Sequence, residues 1–137
     1  IIIGGGLVGC ETAEFLVEQN TGVTGVVVIE MLQRLAENIS STYRPFFLGR
    51  LKKKGIQSRT GTTVEEITGE GVKVNQQGTS GFIKGDAVVL AVGLKPEKNL
   101  LDSFLGGAPE VYSVGDFVKP RTIKEAIEEG FKIGMKI

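Results

Sequence analysis

The chain has 137 residues, of which 41% are hydrophobic, and it contains one cysteine. Lysine plus arginine and aspartate plus glutamate each number 16, and this balance argues against a surface for nucleic acid or for an acidic membrane. The apolar runs are too short to span a bilayer, and one cysteine cannot form an internal disulfide framework. We therefore expect a cytoplasmic protein with one core of ordinary size. Its start without methionine, inside an apolar run, indicates a piece of a longer chain.

The first thirty residues combine two apolar runs with a glycine-rich turn and a helical segment. Residues 1–3 predict a buried strand, residues 7–19 a helix, and residues 23–30 a second strand whose β-branched residues suit a parallel sheet. The turn after the first strand follows the pattern GxGxxG, with its glycines at Gly4, Gly6 and Gly9. A strand, this turn, a helix and an acid about 20 residues further on are typical of a dinucleotide-binding fingerprint.

Each glycine has its own physical reason in such a turn. Gly4 permits the tight turn, Gly6 lets the backbone approach a pyrophosphate, and Gly9 lets the helix pack on the strand without a Cβ between them. The N-terminus of the helix adds unpaired N–H groups and the positive end of its dipole. An anion is therefore bound there without a basic side chain.

Glu30 ends the second strand and is the spaced acid of this fingerprint. We expect its carboxylate to accept hydrogen bonds from both ribose hydroxyls of the adenosine and to repel a 2′-phosphate, which favours NAD(H) over NADP(H). Arg34 is the opposing signal, because a guanidinium can bind a 2′-phosphate. Since VVVIEMLQR contains no second basic residue, we interpret Arg34 as a solvated charge of a loop or helix end.

The middle of the chain predicts a parallel sheet whose last strand is preceded by a separate antiparallel segment. The expected elements are a helix over 41–54, a strand over 56–59, a three-stranded antiparallel meander over 63–84 and a buried strand over 86–93. Ser40 or Ser41 can cap the helix, Pro45 falls in its first turn, and Gly55 ends it. The predicted fold class is α/β, a Rossmann-like doubly wound parallel sheet with the meander before its last strand.

The segment VYSVGDFVKPRTIKEAIEEG predicts a short strand, a turn and a helix. The strand ends at Gly115 and Asp116, a loop with Pro120 follows, and the helix covers about residues 122–132. Asp116 has two interpretations from its position alone. Its carboxylate either caps the region that follows or accepts a hydrogen bond from a ligand hydroxyl.

Four motifs together resemble the pyridine-nucleotide half of NADH:flavin oxidoreductases, especially the 2,4-dienoyl-CoA reductase and enoate reductase group. These are, in the same order, GGGLVGCETAEF, VVVIEM, DAVVLAVGLKP and VYSVGDFVKPRTIKEAIEEG. The resemblance implies an NAD(H)-binding domain over 1–108, followed over 109–137 by the last strand and helix of an FAD-binding domain. It also implies FMN and an iron-sulfur cluster in other domains of the parent chain.

The resemblance implies cofactor roles for individual residues. It places Glu11 near the nicotinamide, although an acid in the first turn of a helix is also favoured by the dipole alone. It gives Gly115 and Asp116 a contact with the FAD ribityl chain, while Phe117 departs from the cysteine common at that place. The full set of cofactor-binding residues is Gly4, Gly5, Gly6, Leu7, Val8, Gly9, Glu11, Glu30, Gly93, Gly115 and Asp116. We expect no catalytic residue and no metal ligand here, and we interpret Cys10 as a small buried residue.

These features predict the NADH-binding part of a multidomain flavin-dependent oxidoreductase, in which hydride passes from NADH to FAD. One alternative is a non-catalytic NAD-binding regulatory module, which shares the first thirty residues but has no need of the VGD segment. A methyltransferase-like nucleotide fold is less suitable, because its ligand lacks a pyrophosphate. We expect the piece alone to bind NADH weakly, to hold no stable flavin and to be inactive. Its apolar surface from Val111 onward either packs on the sheet or pairs with a second copy.

Overall fold

The computed structural model describes residues 1–19, 22–96, 100 and 102–137. The chain divides into two compact units, Ile1–Val92 and Gly93–Ile137. Within the described ranges, no helix has both the length and the apolar character needed to cross a membrane. The assignment of 1–108 to one cofactor domain and of 109–137 to another remains a prediction.

The first unit combines a parallel sheet, an antiparallel sheet and two helices. Its elements in chain order are β1 (Ile2–Ile3), α1 (Leu7–Glu18), β2 (Val27–Ile29), α2 (Arg44–Lys53), β3 (Gln57–Arg59), β4 (Thr62–Thr68), β5 (Gly71–Gln76), β6 (Thr79–Lys84) and β7 (Val89–Leu90). The parallel sheet has the strand order β3-β2-β1-β7, and Ile2 of β1 lies opposite Val28 on one side and Val89 on the other. The predicted fold class is confirmed.

The antiparallel sheet has the order β4-β5-β6 and confirms the predicted meander. Val72 and Val74 of β5 are buried in one cluster with Ile29 of β2, so the meander packs on the parallel sheet through this apolar contact. A larger cluster lies between the parallel sheet and the two helices. Its fully buried members include Ile2, Cys10, Ala13, Val28, Ala36 and Phe47.

The observed elements are shorter than the predicted ones at several ends. β2 contains three residues where residues 23–30 were expected, and β7 contains two where 86–93 were expected. The expected serine cap of α2 is wrong: the helix begins at Arg44 after Tyr43, whose side chain makes no capping bond. Ser40 belongs to the turn before the helix, where its Oγ accepts a hydrogen bond from the Thr42 N–H at 3.3 Å.

The second unit contains a short 3₁₀ helix, Gly115–Phe117, and α3, Ile123–Gly134. Thr122 and Glu125 form a capping box at the start of α3, which fixes the helix one residue later than expected. The predicted short strand before Gly115 is wrong, since residues 111–114 form no strand with any described segment. Extended backbone becomes a strand only when a neighbour completes its hydrogen-bond ladder.

Candidate dinucleotide-binding site

The glycine turn, residues 4–9, connects β1 to α1, and two of its glycines have almost no space between them and neighbouring backbone atoms. Gly4 has φ +105°, and a Cβ on it would lie under 3.0 Å from the carbonyl oxygen of Ala91. A Cβ on Gly9 would lie equally close to the carbonyl oxygen of Gly4. Because both obstacles are backbone atoms, the turn lies against Ala91 after β7, and α1 lies against the turn, at distances that only glycine permits.

Gly6 differs from its neighbours because nothing in the protein lies within 4 Å of the position that a Cβ would occupy. Its backbone is extended, with φ −66° and ψ −177°, which any residue can adopt. Neither packing nor backbone conformation therefore demands a glycine here. The space in front of Gly6 is open, which fits a site where a ligand must come close to the backbone.

The first N–H groups of α1 face this open space. The Leu7 N–H donates to Oδ1 of Asn38 at 3.1 Å. Within the described part of the chain, the N–H groups of Gly6, Val8 and Gly9 have no acceptor. These three donors, at the positive end of the helix dipole, form a site that suits a pyrophosphate. No sequence pattern indicated Asn38, because it reaches the helix from the loop after β2.

Glu30 lies beside the turn and is buried, with 9% of its surface exposed. Its Oε2 accepts a hydrogen bond from the Gly5 N–H at 2.6 Å, and its Oε1 accepts one from the Leu32 N–H at 2.8 Å. The carbonyl oxygen of Gly5 is bound as well, by the Ala36 N–H at 2.7 Å and by Sγ of Cys10 at 3.4 Å. Glu30 therefore holds the glycine turn in place.

The carboxylate of Glu30 still has capacity for a ligand. Two carboxylate oxygens offer about four acceptor positions, and the two backbone N–H groups use one on each oxygen. The remaining positions can accept two ribose hydroxyls. Together with the open face at Gly6, this arrangement fits the adenosine half of a dinucleotide.

Glu11 is the fifth residue of α1 and is exposed. The first turn of the helix contains no acidic residue, so the interpretation of Glu11 as a first-turn acid is wrong. The helix dipole stabilises an acidic side chain only within the first turn, so it does not account for the acid at position 11. The nicotinamide role of Glu11 remains a prediction.

The thiol of Cys10 is fully buried behind the turn. Burial raises its pKa to about 11, and the neighbouring charges of Glu30 and Glu11 add to this effect. The thiol is therefore protonated at neutral pH and is a poor nucleophile. Burial confirms the interpretation of Cys10 as a small core residue.

The remaining predicted site residues, Gly93, Gly115 and Asp116, belong to the second unit. The Gly115 N–H donates to Oε2 of Glu129 at 2.7 Å, and Oδ1 of Asp116 accepts a long hydrogen bond of 3.4 Å from the Arg121 N–H. Asp116 is exposed and keeps free acceptor positions. Over the residues whose placement is described, no group of three or more histidine, cysteine, aspartate or glutamate side chains could hold a metal ion.

Residues 1–130 match the family described as pyridine nucleotide-disulphide oxidoreductase. The chain belongs to this family. An NADH oxidase of Thermoanaerobacter brockii is 37% identical to it over 100% of the chain and 21% of the oxidase. The structure of a 2-naphthoyl-CoA reductase superposes with a TM-score of 0.85 at 32% identity, over 99% of this chain and 20% of that protein. A thioredoxin reductase of T. acidophilum gives 0.73 at 26% identity, over 98% of this chain and 49% of the reductase.

These matches confirm the resemblance to the NADH:flavin oxidoreductases. This member of the pyridine nucleotide-disulphide oxidoreductase family spans about a fifth of the NADH oxidase and of the 2-naphthoyl-CoA reductase. The family is one of oxidoreductases and implies NAD(P)H and FAD as cofactors. The assignment of the dinucleotide to the glycine turn and Glu30 remains a prediction.

Proposed function

We propose that this chain is the NADH-binding part of a multidomain flavin-dependent oxidoreductase and that it delivers hydride from NADH to FAD. The observation that carries the proposal is the geometry around Gly6. An open backbone position and three N–H donors without an acceptor among the described residues lie in the glycine turn, and a buried carboxylate with spare acceptor positions lies beside it. A pyrophosphate needs the first two features, and an adjacent ribose needs the third.

The chain's own residues bind and orient the cofactor. The N–H groups of Gly6, Val8 and Gly9 hold the pyrophosphate, and Glu30 accepts the ribose hydroxyls while excluding a 2′-phosphate. Glu11 is exposed one helical turn further along α1. In this proposal its carboxylate lies near the nicotinamide. When bound, NADH supplies the hydride and FAD receives it, so that the protein contributes position rather than an acid or a base.

Residues 109–137 supply the flavin side of the proposal, where Gly115 and Asp116 contact the FAD ribityl chain. Gly93 belongs to the NAD(H)-binding domain, residues 1–108, and forms part of the cofactor site there. FMN and an iron-sulfur cluster belong to further domains, and the whole enzyme acts in the cytoplasm. The chain alone binds NADH weakly and does not retain FAD, because only one GxGxxG turn is present.

The alternative is a regulatory module that binds NAD without chemistry. It needs the glycine turn and Glu30, but it gives no role to Asp116, whose carboxylate is exposed. The test uses the longest natural chain that contains this segment and follows the reduction of its bound FAD by NADH through the flavin absorbance. It distinguishes the oxidoreductase from the regulatory module. A flavin that stays oxidised with saturating NADH bound would favour the regulatory module.

The test of the coenzyme assignment is Glu30→Gln rather than removal of the side chain, because the side chain also holds the turn through Gly5. We expect the wild type to bind NADH more tightly than NADPH, and Glu30→Gln to lose about 10-fold or more in NADH affinity. The control is Glu37→Gln, which changes an exposed acid of the same loop. Titration calorimetry measures both affinities, and equal wild-type affinities for the two coenzymes would contradict the assignment.

A further inference from the structure

A cleft of about 780 Å³ lies in the first unit beside β3, α2 and the loop after β2. We call it the basic cleft. Its charged lining residues are Arg34, Arg44, Lys52 and Arg59. The other residues that line it are neutral, so that four positive charges surround one space in a chain whose net charge is zero.

The charges of the basic cleft are not paired with acidic side chains in the described part of the chain. Among the residues that the structure describes, no carboxylate forms an ion pair with any of the four. Two other cations at the end of α2 and just after it are neutralised, because Arg50 and Lys54 bind Glu14, and Lys54 also binds Glu18. The cleft therefore concentrates uncompensated positive potential, which raises the local concentration of anions.

The floor of the basic cleft is apolar. Leu51 and Ile56 are buried beneath it, and Leu35 and Leu48 complete the surface. A purely inorganic anion makes no use of these side chains. Leucine and isoleucine surrounded by cations suit an organic molecule that carries its negative charge on phosphate groups.

One wall of the basic cleft is the open edge of the parallel sheet. β3 is the end strand of the described sheet; the Gln57 N–H donates to the Val26 carbonyl oxygen and the Arg59 carbonyl oxygen accepts from the Glu30 N–H, at the two ends of β2. In a parallel ladder the intervening residue presents its N–H and C=O to the opposite side. Ser58 therefore adds a backbone donor at the open edge, beside the cationic side chains.

We propose that the basic cleft binds a small organic phosphate with two or more negative charges, independently of the dinucleotide. Its volume lies in the range of about 300–1,000 Å³ that small-molecule sites occupy. Charges converge on it from a loop, a helix and a strand, which favours a compact anion over an extended acidic peptide. β3 has only three residues and offers a peptide few ladder bonds. The carboxylate of Glu30 binds Gly5 and Leu32 and does not line the cleft.

The test titrates the 137-residue chain with inorganic pyrophosphate while NADH is saturating, and follows backbone amides by nuclear magnetic resonance. We expect shifts at Ser58 and Arg59 that persist with NADH bound. Arg44→Gln combined with Lys52→Gln should weaken pyrophosphate binding about 10-fold. The matched control is Lys53→Gln, which removes an exposed charge of α2 outside the cleft and should leave the affinity within about twofold.

Several results would overturn the proposal. Pyrophosphate shifts confined to residues 6–9 and abolished by NADH would assign the anion to the glycine turn. Competition by NADPH but not by NADH would make the cleft the subsite of a 2′-phosphate bound through Arg34. Tighter binding of an oligoglutamate peptide than of pyrophosphate would identify an acidic protein segment instead.

A second pair of probes tests the organic part of the ligand. At a pH well above the second pKa of both compounds, phenyl phosphate and inorganic phosphate are both dianions, and only phenyl phosphate can contact the apolar floor. We expect phenyl phosphate to bind about fivefold more tightly, with shifts at the Leu48 and Leu51 methyl groups. Equal affinities, or methyl groups that do not respond, would contradict an organic ligand.

Discussion

The two turns proposed to contact cofactors differ in how the chain holds them. In the glycine turn, the N–H and the carbonyl oxygen of Gly5 are both bound, by buried Glu30 and by Ala36 of the following loop. In the C-terminal turn, residues 115–117, the Gly115 N–H is accepted by Glu129 of α3, and Asp116 stays exposed. The first turn is preorganised by buried contacts from separate segments, whereas the second depends on one exposed helix.

The largest effect should come from adding a methyl group where the glycine turn is tightest. Gly9→Ala forces a Cβ against the Gly4 carbonyl oxygen, and we expect a loss of about 3 kcal/mol in the free energy of unfolding. Urea denaturation measures it. The control is Gly49→Ala in α2, where the added Cβ meets nothing and should stabilise the helix by up to about 1 kcal/mol. A Gly9→Ala variant as stable as the wild type would show that the turn is not rigid.

The same substitution at Gly6 should separate binding from folding. An added Cβ there meets no protein atom, and the loss of stability should stay within about 1 kcal/mol, the cost of a poorer helix cap. NADH affinity should fall at least about tenfold, because the methyl group occupies the space into which the pyrophosphate fits. Calorimetric titration with NADH, beside urea denaturation, distinguishes the two effects. Unchanged affinity would remove the glycine turn from the cofactor site.

The sequence predicted the glycine turn because its determinants are local. The spacing of Gly4, Gly6 and Gly9 and the apolar runs on either side are visible in thirty residues, and the meander follows from alternating residues and glycines. The links that fix the turn were not visible. Asn38 and Ala36 reach it only because the loop after β2 folds back over the start of α1, and nothing in their spacing indicates this.

The prediction of a strand before Gly115 was wrong for a related reason. Residues 111–114 have the composition of a strand, but strand formation depends on a neighbour that sequence spacing does not specify. α3 was predicted close to its observed bounds, because Thr122 and Glu125 form a local capping signal. Its apolar residues Ile123, Ile127 and Phe131 are exposed by 66–80%. The local capping signal thus predicted the helix, but it did not indicate what the apolar side of the helix packs against.

Acid should weaken the link between α1 and α2 that Glu14 forms. Hydrogen bonds from Arg50 and then from Lys54 lower the pKa of Glu14 from 4.5 to about 2 and tie α1 to α2. Because the folded pKa is the lower one, this contribution is complete above pH 4.5 and is lost as the pH falls toward 2. Glu14→Gln should therefore flatten the pH dependence of the unfolding free energy in that window. Glu37→Gln serves as the control, and parallel curves for Glu14→Gln and wild type would contradict the assignment.

The smallest effect should be a local one at the C-terminal turn. The Gly115 N–H and then Arg121 lower the pKa of Glu129, so the carboxylate is charged at neutral pH and accepts a charge-assisted hydrogen bond. Glu129→Gln keeps an acceptor but loses the charge, and hydrogen exchange at the Gly115 amide should become severalfold faster. Glu128→Gln, on the same helix, should leave that amide unchanged. The contrasting result would be faster exchange in the amides of β1 and β2 as well. It would show that the glycine turn and the C-terminal turn are not held by separate contacts.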